Sequence, residues 1–147
     1  MTDIQFTLFD ERAVAPRYAH AQDAGADLTS IEDVLLEPGQ RMLVRTGVGI
    51  ALPEGFVGLV HPRSGLAIKQ GIALVNSPGT IDAGYRGEIM VCLINLDPIS
   101  SVNLPSGTRI AQLVIQEFVT AEFKYVESLS GSHRGSNGFG STGLFNE

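Results

Sequence analysis

Apolar and β-branched residues come in short runs along this chain, at 4–9, 42–50, 56–60, 88–96 and 109–118. Runs of that length and composition predict strands. They are punctuated by Glu37-Pro38-Gly39, Leu52-Pro53-Glu54-Gly55, Asn76-Ser77-Pro78-Gly79, Leu96-Asp97-Pro98 and Pro105-Ser106-Gly107. In each, proline presets φ and glycine permits positive φ, the chemistry of turns. Many brief strands with such punctuation predict an all-β sandwich, barrel or jelly roll. One segment departs from the pattern. Residues 64–70 place Leu66, Ala67 and Ile68 before Lys69, with Gly71 just beyond, which predicts one short helix with a C-cap glycine. Arg63 and Ser64 then stand at its start, where free N–H groups and the helix dipole favour an anion.

Past Glu127 the chain turns to Ser, Gly, Asn and Thr with almost no aliphatics, so burial cannot offset the entropy of ordering it. Residues 1–127 are expected to form the β domain and 128–147 a flexible arm. Taken alone, the arm reads first as a solvated tail. Arg134 and Phe139, a cation and an aromatic ring among glycines, suggest instead a segment that orders over a ligand bearing phosphate and a base.

At 147 residues the chain can bury roughly two thirds of its unfolded surface as one domain, without disulfides or structural metal. The single cysteine, Cys92, fits a reducing compartment. Residues 1–11 carry acidic groups and no apolar leader, and nothing approaches the roughly 20 apolar residues of a membrane span. A soluble, cytoplasmic protein with no membrane partner is expected. A net charge of −6 and a pI near 5.0 argue against binding nucleic acid. A small anionic ligand, held by a few local donors, stays compatible with that charge.

Several familiar patterns fail on context. Gly138-Phe139-Gly140-Ser141-Thr142-Gly143 spells G-x-G-x-x-G, but too little chain follows for the helix that a dinucleotide fingerprint needs. No G-x-x-x-x-G-K-[ST] occurs. His20, His61 and His133 are scattered, which argues against zinc. Ser64 lacks the G-x-S-x-G elbow of a serine hydrolase.

Three segments combine charge with glycine beyond what β-structure requires: residues 23–28, residues 61–67 and residues 79–88, reading DAGADL, HPRSGLA and GTIDAGYRGE. Singly, Asp27 could cap a turn, Arg63 could be a surface ion pair and Asp82 could close an Asx-turn. Together with Arg109-Ile110-Ala111-Gln112-Leu113 and the segment from Arg134 to Gly143, they resemble the five ordered motifs of the trimeric dUTPase family. The resemblance covers about 23–143, nearly the whole chain.

The resemblance implies a distorted jelly roll and a homotrimer whose sites draw on three subunits. The first, second and fourth motifs would come from one, the third from a neighbour and the arm from the remaining one. The reaction implied is hydrolysis of dUTP to dUMP and pyrophosphate. Arg63, Ser64 and Gly65 would hold phosphates, and Gln112 would reach the phosphates and the attacking water. A hairpin spanning 76–90 would form the uracil pocket through Asn76 and main-chain groups near Thr80, Ile81 and Met90. Tyr85 would pack beneath the deoxyribose. Asp82 would be the general base. Mg²⁺ would be held mainly by the triphosphate, with Asp27 supporting it through water. Arg134, Phe139 and Gly140 of the arm would contact the substrate. Arg86 and Glu88 would form structural pairs at the subunit contact. Two rivals share part of the pattern: a dCTP deaminase, whose catalytic glutamate would fall where Cys92 stands, and a nucleotide sensor without turnover.

Overall fold

The computed structural model describes residues 2–133 together with Gly135 and Ser136. Its elements, in chain order, are β1 (Gln5–Leu8), β2 (Gly25–Thr29), β3 (Val34–Leu36), β4 (Arg41–Arg45), β5 (Val48–Ala51), β6 (Phe56–Pro62), α1 (Ser64–Gln70), β7 (Ile72–Leu74), β8 (Gly79–Ile81), β9 (Met90–Asn95), β10 (Val102–Leu104) and β11 (Arg109–Glu117). The fold is all-β with one short helix, as the run pattern predicts. Four sheets form among the described residues, with strand orders β2-β11-β6-β8, β4-β9-β7, β1-β5 and β10-β3. Every pairing is antiparallel.

The core sits where the sheets face one another. Leu28 of β2, Leu36 of β3, Val44 of β4, Leu93 of β9 and Ile110 of β11 are fully buried, each burial contributing about 1.5–3 kcal/mol. In β9, Val91, Leu93 and Asn95 point inward between the more exposed Met90, Cys92 and Ile94, the period of two that fixes its register. Asn95 is polar yet fully buried, and its amide is satisfied: Nδ2 donates to Leu36 O and Ser100 O, and Oδ1 accepts from Asp97 N. A satisfied amide avoids the penalty of an unpaired one and ties the β9 end to β3 and to the loop that follows β9.

Helix α1 has the predicted limits. Gly71 ends it in the left-handed region (φ 64°), its N–H returning to Ala67 O and Leu66 O. A Cβ there would stand 2.9 Å from Asp97 N, so glycine is required on two counts.

Two expectations need correction. The run at 42–50 is two strands, β4 and β5, split at Thr46-Gly47, where Gly47 takes φ 69°. The segment 76–90 is not a hairpin: β8 pairs with β6, while β9 pairs with β4 and β7. It is a corner joining two sheets, with β8 paired to β6 over three positions and β9 to β4 over five. After β11, residues 118–133 form no regular element and are exposed. Among the described residues no helix is long and apolar enough to cross a membrane.

Candidate active site

A cavity of about 390 Å³ opens at that corner. Asn76, Thr80, Ile81, Asp82, Tyr85 and Met90, all singled out from the sequence, line it. Its apolar wall comes from Leu43, Leu74 and Cys92, on β4, β7 and β9; of these, sequence reading connected only Cys92 with the site, as the place where a deaminase would carry its glutamate. Those residues converge only through the sheet β4-β9-β7, in which Leu43 stands opposite Cys92 and Leu74 opposite Leu93. The loop over the cavity is bound to itself: Tyr85 N donates to Asp82 O at 3.0 Å, and Arg86 Nη1 to Ala83 O and Tyr85 O at 2.6 and 2.7 Å. Asp82 is left exposed at its rim.

Arg86 and Glu88 find partners inside their own chain. Arg86 binds the carbonyls just named, and Glu88 pairs with Arg45 at 3.1 Å.

A second cluster lies in the four-stranded sheet. Asp27, Gln112 and His61 stand directly opposite one another on β2, β11 and β6, so their side chains share one face. Asp27 is 8% exposed. Its Oδ2 accepts a hydrogen bond from Arg109 Nη1 at 3.0 Å, and its Oδ1 lies 3.4 Å from Arg63 Nε. Arg63 also donates from Nη1 to Arg109 O at 3.1 Å. Oδ1 is buried yet has no hydrogen-bond partner, one acceptor kept open beside two guanidinium groups.

Arg109 reaches this face because the register shifts between Arg109 and Ala111. In a regular strand Arg109 would share the inward face with Ala111. The bulge buries both Ile110 and Ala111 completely and re-aims Arg109 outward. No role for Arg109 was read from the sequence, and the bulge leaves no sequence signal of its own.

The two clusters are set apart in one sheet: the cavity opens beside its β8 edge, and Asp27 stands on β2 at the other edge. Ala26, Leu28, Ala111, Leu113, Val60 and Ile81 alternate with the outer row and point inward. Val60 and Ile81 line the cavity, whereas Asp27, Gln112 and Arg63 are not among its lining residues. Ser64 and Gly65 are exposed at the start of α1. Arg63, at the N-cap in extended conformation, makes no side-chain capping bond, so the first N–H groups of the turn lack a capping partner. Arg134, Phe139 and Gly140 lie outside the described residues.

Comparison with known proteins gives one answer. The dUTPase family model matches residues 11–143. The chain is 60% identical over 138 residues to the deoxyuridine 5'-triphosphate nucleotidohydrolase of Bifidobacterium longum subsp. infantis, covering 94% of this chain and 87% of that one. It is 53% identical over 146 residues to the enzyme of the same name from Corynebacterium glutamicum, covering 97% and 98%. Among solved structures, a mutant dUTPase of Staphylococcus bacteriophage 80alpha with dUpNHpp superposes with a TM-score of 0.91 at 33% identity, covering 98% of this chain and 100% of that chain. A mutant dUTPase of phage phi11 of S. aureus, in which a structural Mg(II) ion is coordinated, superposes with a TM-score of 0.81 at 31% identity, covering 88% and 100%. With a family match over most of its length and relatives above half identity, this chain belongs to the dUTPase family.

Proposed function

We propose that the protein hydrolyses dUTP to dUMP and pyrophosphate at sites that no single chain completes. The observation that carries the shared site is the separation of the two clusters across the sheet. The cavity with Asp82 opens at its β8 edge and Asp27 stands on β2 at the other edge, with β11 and β6 between them, which fits a substrate that touches both by lying between copies. A homotrimer, with the arm 128–147 crossing from the remaining subunit, meets that requirement with closed symmetry.

Uracil enters the cavity, where Asn76 and main-chain groups near Thr80, Ile81 and Met90 face its polar edge. Cytosine would leave buried partners unpaired, costing about 1–3 kcal/mol per group. Tyr85 lies under the deoxyribose. The triphosphate reaches Arg63 and the uncapped N–H groups of Ser64 and Gly65 on the adjoining copy, joined by Gln112. Asp82 takes a proton from water, which attacks the α-phosphorus in line with the departing pyrophosphate. Arg134, Phe139 and Gly140 close over the nucleotide and exclude solvent.

The residues also fit a magnesium ion delivered with the substrate. Among the described residues no group of three or more His, Cys, Asp and Glu could hold a metal. The open, buried Oδ1 of Asp27 offers one hard oxygen acceptor, enough to steady a coordinated water but not to cage an ion. When bound, Mg²⁺ neutralises charge developing on the phosphates. A cytoplasmic location is supported by the lone, unpaired Cys92, as suits a reducing compartment.

The test is complementation. Asp82→Asn and Asp27→Asn chains should each be nearly inactive alone. Unfolded together and refolded, they should regain activity at about a quarter of the sites, by random assortment of two chain types in a ring. No recovery from folded mixed trimers would overturn the shared site.

A further inference from the structure

The pair formed by Arg45 and Glu88 has no part in the reaction as described, yet it is unusually complete. Glu88 Oε1 accepts the Gly47 N–H at 2.7 Å, and Oε2 accepts Nε and Nη2 of Arg45, both at 3.1 Å. The main chain beside it is tied to the same turn. Ile89 N donates to Val48 O at 2.7 Å, and Thr46 Oγ1 donates to Ile89 O at 2.6 Å. Arg45 Nη1 also stands 4.0 Å from Asp10, which holds Arg12 through two side-chain hydrogen bonds of 2.9 and 2.8 Å. A two-pronged guanidinium contact to a carboxylate, with its other oxygen on an amide, fixes orientation as well as charge.

What hangs from this clamp is Tyr85. Its hydroxyl donates to the Glu88 carbonyl at 2.9 Å. Its ring lies so close on Gly87 that a Cβ there would collide with the hydroxyl and stand 2.6 Å from Cζ. Tyr85 itself is 46% exposed, so residues 87–88 set the height of the ring more than surrounding side chains do.

We infer that Arg45 and Glu88 are positioning residues for sugar discrimination: they hold residues 87–88, and through them the Tyr85 ring, where a ribose 2′-hydroxyl has no room. This rests on the proposed place of Tyr85 beneath the deoxyribose. With the clamp released, the 85–88 segment can sag away from the cavity and admit the extra hydroxyl.

Kinetics with dUTP and UTP test this. Glu88→Ala and Arg45→Met should each lower the ratio of kcat/KM for dUTP over UTP about 10-fold, and the double variant should fall no further than the worse single one. Tyr85→Ala serves as the reference, with a loss at least as large. A purely structural pair would lower both nucleotides in proportion. An unchanged ratio in the clamp variants, with a collapsed ratio in Tyr85→Ala, overturns the inference and leaves the reading of Tyr85 standing. An unchanged ratio in Tyr85→Ala overturns both. If either variant fails to fold, Glu88→Gln and Arg45→Lys replace them, with a smaller fall in the same direction expected and an unchanged ratio again decisive against the clamp.

Discussion

The two halves of the site are built from different materials. The cavity is walled by strand side chains that also belong to the packed interior, Val60 and Ile81 among them, and its proposed recognition groups are largely main chain. The outer row is built from charge: Asp27 beneath Arg63 and Arg109, with Gln112 alongside. A base can be read by a rigid edge that exists before it arrives. A triphosphate needs cations whose existing partner can be shared with it, and the incompletely bonded Asp27 carboxylate is suited to that exchange. Base choice and phosphate handling should therefore respond to different mutations.

The largest break should come at the cavity rim. Asp82→Asn should lower kcat about 10³-fold, because it removes the proposed base and keeps the shape. Affinity for a non-hydrolysable dUTP analogue, measured by calorimetry, should stay close to that of the unaltered protein. A parallel loss of affinity would make Asp82 a binding group instead. A smaller effect is expected in the charged row. Arg109→Met should raise KM about 10-fold through lost charge-assisted bonding. Preference for dUTP over dCTP should stay within about two-fold in that variant, since the cavity is untouched. A changed base preference would show that the two halves are coupled.

The smallest effect lies away from both. Asp97 accepts hydrogen bonds from the N–H groups of Ser100 and Ile99, which, Ser100 foremost, hold its carboxyl below the ordinary carboxylate range. A carboxyl lowered on folding adds stability above its unfolded value, and that stability is lost as pH falls through the lowered one. Asp97→Ala should thus shift the denaturant midpoint downward near pH 7, and the gap from the unaltered protein should narrow near pH 3. A gap independent of pH would assign the effect to shape alone.

The sequence carries the long elements well and the short ones poorly. Helix α1 is bounded by Arg63 and Gly71, and β6 and β11 have enough apolar residues to show themselves. Strands β3, β7, β8 and β10 have three residues each, too few for any period to register. They exist because distant partners reach them, as β10 reaches β3. The site divides similarly. Charged residues close to glycine stand out as motifs, so Asp27, Arg63 and Asp82 are legible, whereas Gln112, uncharged and farther from any glycine in sequence, is marked only by the family resemblance. Leu43 and Leu74 look like any strand residue until the sheet closes, and the role of Arg109 depends on a bulge that no local pattern announces.

Strand β6 puts Val60 toward the cavity and His61, its next neighbour, into the outer row. A single-residue insertion or deletion within it would turn each side chain onto the wrong side, damaging base selection and phosphate handling in one event. Length in this strand should consequently tolerate less change than composition, with substitutions accepted there and gaps confined to the loops.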